Sequence, residues 1–147
     1  MFFEDFSVGQ SWQVAPFTIS REQIIDFARL YDPLPVHTDE QYAKTTRFKG
    51  LIASGPMTFM LFWTEFIKAH DILGEELIAG LENHMEWPVP TYPGDTLQGT
   101  VSITAMRSRN AYNGVIDVEI KAYNQDGVRC MGGGATICFA KRQFCLG

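Results

Sequence analysis

Phe59-Met60-Leu61-Phe62-Trp63 places five large apolar side chains in succession within a stretch running from Pro56 to Lys68. Proline is favoured at the first position of a helix and glycine just past its end, so the spacing predicts a helix from Pro56 that stops near Gly74. Consecutive helical residues point about 100° apart, so an unbroken apolar run covers every side of the helix. A helix apolar all round is buried on most faces, and the rest of the chain must supply the cover. After Gly74 the hydrophobic period changes from 3.6 to 2. Leu97, Gly99, Val101, Ile103 and Ala105 alternate with polar residues, as do Ile116, Val118, Ile120 and Ala122. These are strands with one wet face. The Tyr92-Pro93-Gly94-Asp95 stretch carries a type II turn, and Asn124-Gln125-Asp126-Gly127 a hairpin signal into a last strand, Val128 to Lys141. Turns this tight impose antiparallel pairing. Trp12 to Ile19 and Leu81 to Trp87 read as two further strands. An antiparallel meander curled around one buried helix satisfies both partners, an α+β architecture.

Upstream of that helix, Ser20 and Gln23 form a capping box, and Ile24, Phe27, Ala28 and Tyr31 follow at helical spacing. The helix must end near Asp32, because Pro33 and Pro35 remove backbone donors and disfavour helical geometry in the residues before them. Thr38 and Gln41 predict a second box opening a short helix through Ala43, which lapses into the basic run Lys44 to Lys49.

The chain has 147 residues, so one domain, residues 1–147, is expected at roughly 100–200 residues per domain. Apolar residues make up 46% and aromatics 13%, which excludes disorder. The net charge of −5 argues against nucleic acid or anionic lipid as a partner, since both are held by clustered Lys and Arg. Cys130, Cys138 and Cys145 leave at least one thiol unpaired and show no zinc spacing. Acids at Glu4 and Asp5 do not fit a signal peptide, and the apolar stretch Leu51 to Trp63 is interrupted by Ser54, Gly55, Pro56 and Thr58. The expected location is therefore the cytoplasm, with no membrane span and no metal.

Two places could carry chemistry. In Asp32-Pro33-Leu34-Pro35-Val36-His37 a carboxylate and an imidazole stand five residues apart on a proline-stiffened linker, so both can be held at a fixed separation and share one water. Asp32 equally suits an Asx-type turn before Pro33, and His37 a neutral position before a helix cap. Seventeen residues on, Ser54-Gly55-Pro56 opens the apolar helix. Helix N-termini present unpaired N–H groups and the positive end of the dipole, and Gly55 has no side chain to keep a substrate carbonyl away. The donors there are the Gly55 and Met57 N–H groups and the Ser54 hydroxyl, though Ser54 or Gly55 also fits an ordinary N-cap. Gly132-Gly133-Gly134 marks a bulge or a close approach within a strand.

Together these segments resemble the MaoC-like dehydratases, the (R)-specific enoyl-CoA hydratase branch of the hotdog fold. The likeness lies in Asp32-Pro33-Leu34-Pro35-Val36-His37-Thr38-Asp39, in Gly50-Leu51-Ile52-Ala53-Ser54-Gly55, and in Tyr92-Pro93-Gly94-Asp95-Thr96-Leu97. The three motifs stand in family order, and the likeness covers most of the chain. The resemblance implies a hotdog domain that pairs as a homodimer or higher oligomer. Its substrate would be an acyl thioester on coenzyme A or an acyl carrier, handled without a cofactor. It further implies that Asp32 and His37 hold the water added across a trans-2-enoyl thioester, while the Gly55 N–H, beside Ser54, stabilises the enolate oxygen. Leu34 stands where the family has Asn or Gln and, with Val36, is expected to form an apolar wall. Met57 would alter the pocket wall, and Phe59, Met60 and Phe62 are candidates for narrowing it. Lys44 and Arg47 could replace basic contacts to the carrier that the Trp87 to Tyr92 stretch lacks. Hotdog folds also support thioester hydrolysis and non-catalytic acyl-thioester binding, which assays of free thiol and of turnover would distinguish.

Overall fold

Period-two alternation after residue 95 becomes three long strands joined as a meander: β3 (Thr96–Ser108), β4 (Asn113–Tyr123) and β5 (Arg129–Ala140). They are seen in a computed structural model, which describes residues 1–143 of the chain, so Cys145 lies outside the described residues. Gly94 (φ 86°) and Gly127 (φ 72°) occupy the left-handed positions that the two predicted turns require. Two further strands complete the antiparallel sheet, β1 (Ser11–Thr18) and β2 (Leu77–Glu86). The order β1-β3-β4-β5-β2 departs from a simple meander, because β2 crosses to the far edge and pairs with β5. Both edge strands are irregular. In β1 the register shifts between Val14 and Phe17, around Pro16, which cannot donate to a ladder and is tolerated at an edge.

The apolar helix, α4, runs Gly55–Ala69 and ends at His70 rather than near Gly74. Phe62 and Phe66 lie in the core with Ile103, Ile116, Ile120 and Phe139 on the sheet. Full burial of such a side chain contributes about 1.5–3 kcal/mol. Cover is one-sided: Met57, Thr58, Phe62 and Phe66 are buried, whereas Met60 is 50% and Ile67 45% exposed. One sheet reaches only one flank of a cylinder, so the burial expected on most faces is incomplete in a single copy. Among the described residues no helix is long and apolar enough to cross a membrane.

Helix α1 (Arg21–Tyr31) begins with the predicted Ser20/Gln23 capping box. The stretch expected to be a linker contains one short helical turn, α2 (Pro35–Thr38), which Pro35 starts. The next helix, α3 (Glu40–Thr45), is capped by the Asp39 carboxylate, which accepts from the Tyr42 N–H at 3.0 Å. Thr38, the cap expected there, instead belongs to α2 and donates its hydroxyl to the Leu34 carbonyl.

Candidate active site

Asp32 closes α1 as its C-cap, and His37 sits in α2, one proline-bounded turn later. The turn brings the two together: His37 Nε2 stands 3.4 Å from Asp32 Oδ2. The imidazole is buried at 6% exposure, whereas the carboxylate side chain is 27% exposed. On its other side His37 Nδ1 lies 2.6 Å from the carbonyl oxygen of Ile52. A carbonyl only accepts, so the contact assigns the proton to Nδ1 and leaves Nε2 facing the carboxylate. Between a lone pair on Nε2 and an ionised carboxylate a hydrogen bond requires one added proton, from either partner or from a water. Chemically, such a pair can hold a proton and pass it on.

The same contact ties the pair to the start of α4. The Ile52 N–H donates to the Val36 carbonyl while the Ile52 carbonyl receives His37, and Ile52 precedes Gly55 by three residues, a reach of at most about 10 Å. Ala53 in turn donates to Thr91, joining this segment to the Tyr92–Asp95 turn. The Ile52 carbonyl has no side-chain signature, so sequence reasoning had no means of finding it.

At the N-terminus of α4, Ser54 is fully buried, yet its hydroxyl makes no cap and has no partner among the described residues. Buried polar groups are ordinarily satisfied, so an open hydroxyl here is a donor awaiting an acceptor. Gly55 has a further reason to be glycine. A Cβ at Gly55 would stand 2.7 Å from Cδ2 and Cε2 of Trp87, so the indole ring already fills that space and requires the glycine. Trp87 Nε1 donates to Thr58 Oγ1 at 3.1 Å, and Thr58 Oγ1 donates to the Gly55 carbonyl at 2.7 Å. Neither residue stood out in the sequence. Their signal was a single hydroxyl one turn into an apolar helix.

The remaining candidates separate. Leu34 is 54% exposed at the N-cap of α2, while Val36 turns inward against Ile25, Ala43 and Leu51. The apolar wall expected from the two is therefore absent on the Leu34 side. Met57 is buried in the core at 2% exposure. Phe62 is also core, whereas Phe59 and Met60 line a groove of about 270 Å³ between α4 and β2, with Trp63, Leu77 and Asn83. Lys44 and Arg47 are exposed, and the Arg47 guanidinium lies over the Phe48 ring at 4.9 Å. The Phe48 carbonyl accepts from the Tyr92 hydroxyl at 2.9 Å, which fastens this basic loop to the Tyr92–Asp95 turn.

Comparison with known proteins returns a consistent picture. Residues 7–132 match a family model described as the FAS1-like dehydratase domain region. The chain is 36% identical over 110 residues to an (R)-specific enoyl-CoA hydratase of Rhodospirillum rubrum, covering 71% of each. It is 33% identical over 134 residues to an uncharacterized Bacillus subtilis protein, YdeM, covering 90% of this chain and 94% of that one. Among solved structures it is similar to a MaoC-like dehydratase from Rhodospirillum rubrum, with a TM-score of 0.87 and 28% identity over 97% of this chain and 98% of that chain.

Proposed function

Because the chain belongs to the MaoC-like dehydratase family of the hotdog fold, we propose that it adds water across a trans-2-enoyl thioester, or removes it from a 3-hydroxyacyl thioester. The observation that carries this reading is the Asp32–His37 contact at 3.4 Å, with Nδ1 held by the Ile52 carbonyl three residues before the N-terminus of α4. The pair holds one mobile proton. In hydration, the water oxygen bonds to C3 and gives a proton to one member. The other member delivers its proton to C2, so the pair still holds one proton, now on the opposite member, and its transfer back between the two resets the site; dehydration follows the same steps in reverse. Positioned proton transfer of this kind is worth about 10²–10⁴-fold. As C3 is attacked, charge moves to the thioester oxygen. The Gly55 N–H and the unpartnered Ser54 hydroxyl are the donors proposed for it, each worth up to about 10²–10³-fold. No cofactor enters this scheme.

The acyl chain is assigned to the groove beside α4. Phe59 and Trp63 follow Gly55 by one and two helical turns on the same face, so a chain leaving the thioester can run along them. Lys44 and Arg47 are the proposed contacts to the carrier's phosphates. The working unit is read as a dimer, because the edge strand β2 exposes Ile78 and Leu81 and the open flank of α4 exposes Met60 and Ile67. The test is to follow loss of the conjugated thioester absorbance with crotonyl-CoA and longer trans-2-enoyl-CoAs, while titrating free thiol. Absorbance loss without thiol release is expected. Thiol release at the same rate would replace hydration by hydrolysis, and binding without turnover would leave only a carrier role.

A further inference from the structure

Gly55 combines two properties that leave its peptide loosely held by the chain alone. It lacks a Cβ, so it has the widest backbone freedom of any residue. It also enters α4 directly before Pro56, where the ring of the proline disfavours helical geometry in the preceding residue. The molecule nevertheless grips this residue from two sides. The Trp87 indole presses on its Cα, leaving no room for a methyl group. The Thr58 hydroxyl, itself held by the Trp87 N–H, donates to its carbonyl. Thr58 is 2% exposed, so this chain of two hydrogen bonds is shielded from competing water at its centre. Trp87 is 39% exposed and lies beyond the last residue of β2, outside the core formed by α4 and the sheet. A large aromatic side chain placed there, with its N–H and its ring both committed to the first turn of α4, serves that turn.

We propose that Trp87 and Thr58 are positioning residues that clamp Gly55 at its Cα and its carbonyl, fixing the turn about that Cα, and so aim its N–H at the developing oxyanion. The assignment rests on the hydratase reading above and extends it to two residues that touch no reacting atom. A misplacement of about 1 Å at a reacting centre costs up to about 10²-fold, so a loosened donor lowers turnover more than binding.

Trp87→Phe keeps a ring over Gly55 and removes the N–H, and Thr58→Val keeps the volume and removes both hydrogen bonds. With the substrate that the wild type turns over best, each variant should lose about 10-fold or more in kcat with KM changed less than about twofold. The double variant should be no slower than the slower single one, since both cut the same chain. The pH profile of the residual activity should keep its shape, because Asp32 and His37 are untouched. Wild-type kcat in both single variants, alongside an active wild type, would overturn the clamp and leave the hydratase reading intact. If the wild type turns over no enoyl thioester, the hydratase reading fails, and the clamp is judged by nuclear magnetic resonance. Thr58→Val should then shift the Trp87 indole proton and the Gly55 amide. If both signals stay in place, the clamp is refuted as well.

Discussion

Replacing Asp32 by Asn tests the core of the proposed chemistry at almost no structural cost. The side chain is partly exposed, and among the described residues the 3.4 Å contact with His37 is its one ion pair. The amide has nearly the same shape but cannot take a proton from water, so turnover should fall about 10²–10⁴-fold. That is about 3–5 kcal/mol of transition-state stabilisation at 1.36 kcal/mol per decade. His37→Ala should cost a similar factor, with a difference that the structure dictates. His37 is buried and bonded to the Ile52 carbonyl at 2.6 Å, so its removal leaves a buried acceptor unpaired, at about 1–3 kcal/mol. The melting temperature of His37→Ala should therefore drop by about 2–12 °C, while that of Asp32→Asn stays near wild type. Because one proton serves both residues, the double variant should lose little beyond the worse single one. The assay is enoyl-CoA hydration under saturating substrate, with circular dichroism to confirm folding. Two modest losses that multiply in the double variant would refute the shared-proton arrangement, as would an Asp32→Asn enzyme with wild-type turnover.

Other expectations concern single contacts. Leu34→Asn should leave the unfolding free energy from urea titration within about 0.5 kcal/mol of wild type, because the leucine is already half in solvent; a larger loss would mean that the side chain is covered in the working assembly. Asp117 is held below the usual carboxylate range chiefly by its hydrogen bond to Arg107, against the opposing effect of burial, with Thr136 assisting. A depressed carboxylate stabilises the fold above its unfolded value of about 3.9 and loses that contribution as pH falls through the lower native value. The stability gap between wild type and Asp117→Asn, measured by urea titration, should thus be constant above about pH 5 and close below about pH 4; a constant gap in acid would discount the ion pair. Light scattering should give at least twice the 16.6 kDa chain mass at micromolar concentration, with Leu81→Lys shifting it toward one copy; a monomeric wild type would end the dimer reading.

Much of this fold was legible because its signals are local. The period-two alternation in β3 and β4, the Ser20 cap and the glycines of two turns each encode their own structure within a few residues. Strand order was not legible: β2 is mostly exposed, carries two register irregularities and has little hydrophobic pattern to say which edge it joins. The one-sided cover of α4 was equally hidden, since composition reports that a helix is apolar and not how much sheet reaches it. At the site, Asp32 and His37 announced themselves through residue type and the two prolines. The Ile52 carbonyl could not, being backbone. Gly55 was singled out for its N–H, and the structure adds a reason the sequence could not show, because a ring arriving from 32 residues downstream packs where a Cβ would stand.

The glycines of β5 have a bearing on the far end of the molecule. At Gly133 (φ 150°) a Cβ would stand 2.0 Å from the His84 carbonyl oxygen, and at Gly134 it would stand 2.9 Å from the His84 ring. This notch accepts the β2 backbone in one alignment, His84 opposite Gly134 and Glu86 opposite Gly132. Trp87 is the next residue along the chain. A strand displaced by a single residue turns each of its side chains to the opposite face, which would carry the indole away from Gly55. The bare stretch of β5 thus works as a gauge that meters where the tryptophan arrives. A side chain at Gly133 would press on the β2 backbone itself, so it would displace the tryptophan together with the strand that delivers it.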